Sequence, residues 1–300
     1  METTGMNKHT DPTEDSSARI QQEDVHNAGA NDPAFDHDQA GPVVGADATG
    51  TITSDSTPDD APVAFDGVEG YFDFDGVFNA FPDPKVWRRG GQDRLDWLPV
   101  DDLRRELYDP DGNAFLLNGN TKLKVPEGNY RVHWSNELAG RLHLLMESGV
   151  LRLHWLTTWQ PYTSMLDKIL GFDDMETVTE RWYDESTRRG IWTGKQDTVV
   201  ARINTAYKTE SPLNLIWVDD EECNSIALKA VKTALDAHED DGSVHVLMVR
   251  PDDRIGVSRR QLDKILGFVK DPSSYGRLSY DIEPSIDDPY DEMKRGHLGF

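Results

Sequence analysis

The sequence predicts an α/β fold, a doubly wound parallel sheet with helices on both faces. Two observations predict this class. Four short runs are apolar almost throughout, at residues 68–74, 150–157, 213–218 and 244–249. Longer segments between several of these runs repeat apolar residues at helical spacing. Short, continuously apolar strands are typical of parallel sheets covered on both faces, and their alternation with helices produces the doubly wound arrangement.

The first run begins the predicted domain, and the segment after it is irregular. Gly67 and Gly76 bound the run, which predicts a buried strand. Residues 78–133 predict a small insertion, with a loop at 87–91, one or two helical turns at 100–107 and a hairpin at 114–125 that turns at Asn118-Gly119. Too little of this segment is periodic and apolar to build a separate cap domain, so a flap or hairpin is expected.

The rest of the domain alternates helix and strand. Ser135 is the predicted N-cap of a helix at 136–148, and Gly149 is its predicted stop. The strand at 150–157 follows. The remaining predicted elements are helices at 162–170, 175–188 and 195–207, a strand at 213–218, a helix at 224–238, a strand at 244–249 and a helix at 258–269.

The charge of the chain is unevenly distributed. The 300 residues carry a formal net charge of −24. Residues 1–64 hold 13 Asp and Glu against Lys8 and Arg19, with one aromatic residue, so they cannot bury enough apolar area to offset the entropy of ordering. We therefore expect a disordered acidic tail at 1–64, an α/β domain at 65–270 and a loosely ordered, Pro-, Ser- and Asp-rich tail at 271–300.

The composition excludes several classes of protein. No stretch approaches about 18 consecutive apolar residues, and the N-terminus lacks the layout of a signal peptide, so we expect a cytoplasmic protein that does not enter a membrane. The single cysteine, Cys223, can form neither an internal disulfide nor a thiolate metal site. The nine histidines show no metal-ligand spacing. An acidic surface also repels nucleic acid unless a basic patch overrides it.

Polar residues stand at the carboxyl ends of the predicted strands, where a doubly wound sheet binds its ligand. These residues are Asp73 and Asp75 after the first strand, Thr157 after the second, Lys195 at the start of a helix, and Asp219 and Asp220 after the third strand. Carboxylates this close together repel one another unless a cation balances them. Mg²⁺, which prefers oxygen ligands, is the expected cation.

The order of these residues resembles that of the haloacid dehalogenase-like (HAD) hydrolases. Asp73-Phe74-Asp75-Gly76-Val77, a strand ending in Thr, an isolated Lys and an apolar strand ending in Asp-Asp follow one another as the family's four motifs do. The segments at 134–138, 153–159 and 215–221 look more closely like small HAD domains of actinobacteria and their phages. The resemblance covers residues 68–269, about two thirds of the chain.

The resemblance implies a catalytic role for four of these residues. Asp73 would be the nucleophile that forms an aspartyl-phosphate, and Asp75 would protonate the leaving oxygen and then activate water. Thr157 would bind a phosphoryl oxygen, with Thr158 as the alternative. Lys195 would neutralise charge between the nucleophile and the phosphoryl group.

The resemblance also implies a magnesium site. Its ligands would be Asp73, Asp75 through its backbone carbonyl, Asp219 and Asp220, with either of the last two as the direct ligand. Mg²⁺ is therefore the expected cofactor. Family members that keep an acid two residues after the nucleophile are generally phosphoryl-transfer enzymes, which favours a phosphatase over a dehalogenase.

Other residues of the same types compete for these roles. Asp109-Pro110-Asp111-Gly112 repeats the Asp-x-Asp-Gly pattern, but it follows no apolar strand and therefore predicts a turn. Lys168 and Lys208 compete with Lys195 from less suitable helix positions. Cys223 lies beside four carboxylates, which disfavour its thiolate, so no catalytic role is expected for it.

The predicted insertion concentrates basic and aromatic side chains. They are Lys85, Arg88, Arg89, Arg94, Lys122, Lys124 and Arg131, interleaved with Trp87, Trp97 and Tyr130. Two interpretations are open. The insertion is either a lid that recognises a second phosphate or a nucleotide by Arg pairing and aromatic stacking, or a solvated hairpin whose tryptophans pack on the core.

The favoured function is a magnesium-dependent phosphatase for a small phosphorylated metabolite or nucleotide. Two alternatives stay open. A phosphatase for nucleic-acid ends is favoured by the basic insertion and disfavoured by the overall charge. A non-catalytic HAD-fold module would use its acidic tail to recruit a basic protein partner.

Overall fold

A computed structural model of the chain describes residues 65–81, 101, 104–173, 177–182, 194–239 and 241–284. The predicted acidic tail at 1–64, the predicted loop at 87–91 and residues 285–300 lie outside the described residues. The basic residues and tryptophans of the insertion between 82 and 100 lie outside them as well.

The described strands form a six-stranded parallel sheet and a separate antiparallel hairpin. The sheet strands are β1 (Val68–Phe72), β4 (Leu151–Trp155), β5 (Thr177–Thr179), β6 (Leu213–Val218), β7 (Val244–Arg250) and β8 (Leu278–Ile282). Their spatial order is β5-β4-β1-β6-β7-β8. The hairpin strands are β2 (Gly119–Val125) and β3 (Gly128–Trp134).

Six helices are described, and short polar side chains cap three of them, through Ser135, Asn224 and Ser258. The helices are α1 (Arg104–Leu107), α2 (Asn136–Glu147), α3 (Thr163–Leu170), α4 (Lys195–Lys208), α5 (Ser225–Asp236) and α6 (Arg259–Lys270), with 3₁₀ turns at Gln160–Tyr162 and Pro272–Tyr275. The Ser135 hydroxyl accepts a hydrogen bond from the Leu138 N–H at 3.2 Å, as an N-cap does. Among the described residues, no helix has both the length and the apolar character needed to cross a membrane.

Apolar side chains cover both faces of the sheet. Ile216 and Val218 of β6 join a core cluster with residues of α2, α3 and α6, while Leu215 and Trp217 join a second cluster with residues of α4 and α5. Successive strand residues point to opposite faces, so both faces of β6 are buried. The predicted fold class is confirmed at this level: a parallel α/β sheet flanked by helices.

Part of one predicted helix is a strand in the structure. Residues 177–179 of the predicted helix at 175–188 form β5, which pairs in parallel with β4 at the edge of the sheet. Thr177, Val178 and Thr179 are β-branched, and their fit to a pleated sheet edge outweighs the helical spacing of the segment. Residues 183–188 lie outside the described part of the chain.

The hairpin is present, but its turn was predicted at the wrong place. The turn lies at Pro126-Glu127, between the paired residues Val125 and Gly128. Gly119, which was predicted in the turn, pairs instead with Trp134, and a Cβ at Gly119 would lie 2.2 Å from the Trp134 ring. This glycine therefore makes room for an indole within the ladder.

The predicted C-terminal tail at 271–300 is wrong for residues 271–284. β8 adds to β7 as the last parallel strand of the sheet. Its Asp281 carboxylate accepts hydrogen bonds from Arg260 at 2.8 Å and from Lys264 at 2.7 Å, both on α6. The Glu283 carboxylate is buried and accepts a hydrogen bond from Ser258 at 2.6 Å. The acidic residues that predict a solvated tail are instead paired with basic and hydroxyl groups of α6 and its cap.

Candidate active site

The carboxyl ends of β1 and β6 meet where the strand order reverses. From β1 the chain continues to β4 and β5 on one side, and from β6 to β7 and β8 on the other. Phe72 is in register with Val218, so Asp73 and Asp219 leave the sheet side by side. The Asp73 N–H donates to the Val218 carbonyl at 3.0 Å. Open α/β sheets bind their ligands at such a switch point.

Lys195 joins these two aspartates. Gly194, with a φ of 78°, leads the chain into α4, and Lys195 is the first residue of that helix. The Lys195 ammonium donates to Asp73 Oδ2 and to Asp219 Oδ2, the latter at 2.8 Å. All three side chains are buried. Of the competing lysines, Lys208 lies at the opposite end of α4.

Backbone groups fix the orientation of Asp219. Its Oδ1 accepts hydrogen bonds from the N–H groups of Glu221 at 3.0 Å and Glu222 at 2.7 Å. The other oxygen, Oδ2, is the one bound by Lys195. Each oxygen of this fully buried carboxylate therefore has a partner.

Asp220 adds a third carboxylate to the cluster. One carboxylate oxygen from each of Asp73, Asp219 and Asp220 lies within 4.8 Å of the other two. Arg250 at the end of β7 donates to the Asp220 carbonyl at 2.8 Å and so holds the loop. Gly76 has a φ of +67°, and a Cβ there would lie 2.1 Å from Asp220 Cγ. The site therefore requires glycine at this position, both for its backbone conformation and for the close approach of Asp220.

Burial and mutual repulsion shift the protonation of the cluster. Burial raises the pKa of Asp73, Lys195 opposes this shift, and Asp219 and Asp75 add to it. Burial, then Asp219 and Asp73, raise the pKa of Asp220 well above its usual value. Burial alone would lower the pKa of Lys195, but Asp219 and Asp73 raise it, so the side chain stays an ammonium.

The cluster fits a divalent cation with oxygen ligands. When ionised, three carboxylates against the single ammonium of Lys195 leave an excess of two negative charges, which equals the charge of Mg²⁺. Every side-chain atom of the three aspartates that could bind a metal is a carboxylate oxygen, which suits a hard cation. The cluster contains three of the four predicted ligands. Asp75 contributes no side-chain oxygen to it, and its contact through the backbone carbonyl stays a prediction.

The Asp75 carboxylate is held by two donors instead. Trp159 Nε1 donates to Asp75 Oδ2 at 2.9 Å, and Asn79 Nδ2 donates to Asp75 Oδ1 at 2.6 Å. Asp75 itself is partly buried at the edge of the cluster. Its carboxylate is close enough to contribute to the raised pKa of Asp73.

Thr157 lies at the same edge of the sheet. It is two residues beyond the end of β4 and is fully buried, and its hydroxyl oxygen accepts a hydrogen bond from the Trp159 N–H at 3.3 Å. The alternative, Thr158, is exposed. Because β4 is the neighbour of β1, Thr157 emerges beside the segment that carries Asp73.

The described part of the insertion separates its basic and aromatic side chains. On the hairpin, Lys122 is paired with Arg131, and Leu123 with Tyr130. Side chains alternate between the two faces of a strand, so Tyr130 lies on the opposite face from Arg131 and Lys122. Tyr130 packs edge to face against Trp159 at a ring distance of 5.4 Å. The described hairpin therefore does not combine cationic pairing and aromatic stacking on one surface.

The second Asp-x-Asp-Gly copy and Cys223 both occupy structural positions. The second Asp-x-Asp-Gly copy forms the predicted turn, in which the Asp111 N–H donates to Asp109 Oδ1 at 3.0 Å. Cys223 is fully buried, and burial followed by the Asp219 charge raises the pKa of its thiol. A thiol with a raised pKa is a poor nucleophile.

Two residues that contact Asp75 were missed. Asn79 stands apart from the four motifs, and Trp159 ends the segment at 153–159 with no role assigned to it from the sequence. A usable signal was present for Asn79, because it follows Asp75 by four residues, whereas Trp159 lies 84 positions from Asp75. The short spacing places the Asn79 side-chain amide within one turn of a predicted site residue.

Comparisons with protein-family models, with curated proteins and with solved structures found no match to this chain.

Proposed function

We propose that this protein is a magnesium-dependent phosphatase of the HAD type that acts through an aspartyl-phosphate on Asp73. The observation that carries the proposal is the cluster of Asp73, Asp219 and Asp220 at the strand switch point, where buried Lys195 binds the first two. Its residues are those that the resemblance to HAD hydrolases assigns to the nucleophile, the phosphoryl-binding lysine and the metal ligands. The substrate class is a small phosphorylated metabolite or a nucleotide.

Asp73 is suited to nucleophilic attack by its fixed position. The Phe74 N–H donates to its Oδ1 at 2.6 Å, and Lys195 binds its Oδ2. A carboxylate oxygen of Asp73 attacks phosphorus, and the bond from phosphorus to the leaving oxygen breaks. A positioned nucleophile and a fixed counter-charge are the main requirements of phosphoryl transfer.

Lys195 and Thr157 would bind the phosphoryl oxygens. The Lys195 ammonium is buried beside the nucleophile, where a charge interacts more strongly than it does in water. Asp73, Asp219 and Asp220 would hold Mg²⁺. The ion, when bound, supplies positive charge that stabilises the oxygens of the transition state.

Asp75 is the proposed acid and base. It passes a proton to the leaving oxygen in the first step. In the second step it accepts a proton from the water that attacks the aspartyl-phosphate, and the bond between phosphorus and the Asp73 oxygen breaks. The Asp73 carboxylate is thereby regenerated.

The hairpin favours a second candidate, a phosphatase for nucleic-acid ends. Lys122, Lys124 and Arg131 are exposed on one face of the hairpin. A face of this kind attracts a phosphate backbone, whereas the chain's net charge of −24 repels it at long range. A phosphorylated oligonucleotide as a competing substrate distinguishes the two candidates.

Hydrolysis of 4-nitrophenyl phosphate by wild type and Asp73→Asn, with Mg²⁺ or with EDTA, tests the proposal. We expect turnover only in the wild type with Mg²⁺. Asp109→Asn is the matched control, because it makes the same change in the second Asp-x-Asp-Gly copy, and it should retain wild-type rates. Equal rates in wild type and Asp73→Asn would overturn the assignment of the nucleophile.

A further inference from the structure

We propose that Trp159 and Asn79 are positioning residues for Asp75, and that the β2–β3 hairpin keeps both of them in place. The inference rests on the proposed function, because it concerns the proton transfers assigned to Asp75. It gives the insertion a role different from that of a substrate lid: the hairpin supports the acid–base group from behind.

The two donors act on different oxygens of one carboxylate. Trp159 binds Oδ2 and Asn79 binds Oδ1, at 2.9 Å and 2.6 Å. A single hydrogen bond would leave the carboxylate free to rotate about its Cβ–Cγ bond, whereas two bonds to two oxygens fix its plane. Because Asp75 is only partly buried, packing alone does not impose this orientation.

Backbone groups of the hairpin hold the Asn79 side chain and the residue after it. The His133 N–H on β3 donates to Asn79 Oδ1 at 2.8 Å, and the Ala80 N–H donates to the His133 carbonyl at 3.1 Å. These bonds also determine which way the Asn79 amide points, because its oxygen must face the His133 N–H and its nitrogen must then face Asp75. The side chain is 2% exposed, so the arrangement is shielded from water.

The hairpin also packs against Trp159. Tyr130 meets the Trp159 ring edge to face at 5.4 Å, and Phe74 meets it at 5.9 Å. These two rings confine the indole, so its only N–H stays directed at Asp75. Residues of β3 thus contact both of the groups that bind Asp75.

This orientation matters for both proton transfers. In the first, the proton moves from Asp75 to the leaving oxygen as the bond from that oxygen to phosphorus breaks. In the second, it moves from water to Asp75 as the water oxygen bonds to phosphorus. A carboxyl group that rotates away is out of reach of either oxygen, because proton transfer requires hydrogen-bond distance.

Trp159→Phe tests the role of the indole N–H, since phenylalanine keeps an aromatic ring at this position. The readout is the rate of phenol release in the first turnover, for phenyl phosphate and for 4-nitrophenyl phosphate. Phenolate is a poor leaving group that needs the proton from Asp75, whereas 4-nitrophenolate leaves without it. We expect roughly a tenfold loss for phenyl phosphate, less than about a twofold loss for 4-nitrophenyl phosphate, and an unchanged KM.

The matched control is Trp155→Phe, which deletes an indole hydrogen bond to another carboxylate, that of Asp167, at 2.8 Å. It should leave the ratio of the two rates as it is in the wild type. Asn79→Ala should change the ratio in the same direction as Trp159→Phe, and it decides the matter if Trp159→Phe does not fold.

Equal losses for both substrates, or no loss for either, would overturn the positioning role while wild-type turnover leaves the proposed function intact. Absence of turnover in the wild type for both substrates would overturn the proposed function and, with it, this inference. The wild-type reaction therefore separates the two failures.

Discussion

Replacing Lys195 with methionine removes the only positive charge described at the centre of the carboxylate cluster. Methionine has nearly the length of lysine and fits a buried position, so the change isolates the ammonium. Lys195 is 6% exposed and binds two aspartates that are 7% and 0% exposed. Without it, three neighbouring carboxylates remain with no charge to balance them unless they take up protons.

The expected loss of stability follows from the burial of Lys195 and its two partners. Removing one partner of a buried ion pair costs about 3–5 kcal/mol. For a folded region of roughly 200 residues, a loss of this size lowers Tm by about 6–20 °C. The excess negative charge of the ionised cluster rises from two to three in the variant. Binding of Mg²⁺ should therefore stabilise the variant more than it stabilises the wild type. A cation at about 100 times its Kd stabilises a protein by about 2.7 kcal/mol.

Thermal unfolding followed by circular dichroism, in EDTA and in excess Mg²⁺, measures both effects. We expect a low Tm for Lys195→Met in EDTA, a larger rise with Mg²⁺ than the wild type shows, and loss of phosphatase activity in both conditions. Lys232→Met is the control, because Lys232 pairs with Asp236 at 2.6 Å on an exposed helix face and should matter little. A Lys195→Met variant as stable as the wild type in EDTA, with no larger response to Mg²⁺, would refute the reasoning.

Two further outcomes are expected. Burial acts to raise the pKa of Asp281, but the two basic side chains of α6 lower it overall. The ionised carboxylate therefore stabilises the fold at pH values above its ordinary pKa. This stabilisation is lost as the pH falls through the lower pKa of the folded state. Urea unfolding should therefore show Asp281→Asn less stable than the wild type by about 1–3 kcal/mol at neutral pH, and the difference should shrink below about pH 4; a gap that persists in acid contradicts this. Gly76→Ala should abolish phosphatase activity, because the new Cβ displaces Asp220, whereas Gly171→Ala, at a φ of 76° with open space around it, should cost only about 1–2 kcal/mol of stability and keep activity.

Sequence reasoning was accurate where one local pattern dominates. The strand predicted at 213–218 has the observed bounds, and the helix predicted from Lys195 begins at Lys195. Continuous apolar character and a helix start are properties of a few adjacent residues. The same holds for the residues at the strand ends, because parallel strands bring their carboxyl ends to one edge whatever the loops do.

Sequence reasoning failed where partners are distant in the chain. β8 contains Asp281, whose polar character suggests solvent until the ion pairs with α6 are known. β5 is short, and its β-branched residues form a strand because they pair with β4. The bond from Trp159 to Asp75 depends on how two distant segments pack, whereas Asn79 lies only four residues from Asp75 and was missed although its spacing is local. No local pattern encodes the contacts of Asp281 with α6 or of Trp159 with Asp75.

The central position of β1 has a consequence for synthesis of the chain. Of the described strands β1 is made first, yet one of its two edges waits for β6, about 145 residues later in the chain. At about 5–20 residues per second, a ribosome needs about 7–29 seconds to make that stretch. During this interval the apolar β1 has an unpaired edge that can pair with other nascent chains. Slower translation, or translation with many nascent chains close together, should therefore lower the yield of folded protein. The molecules that do fold should keep their activity.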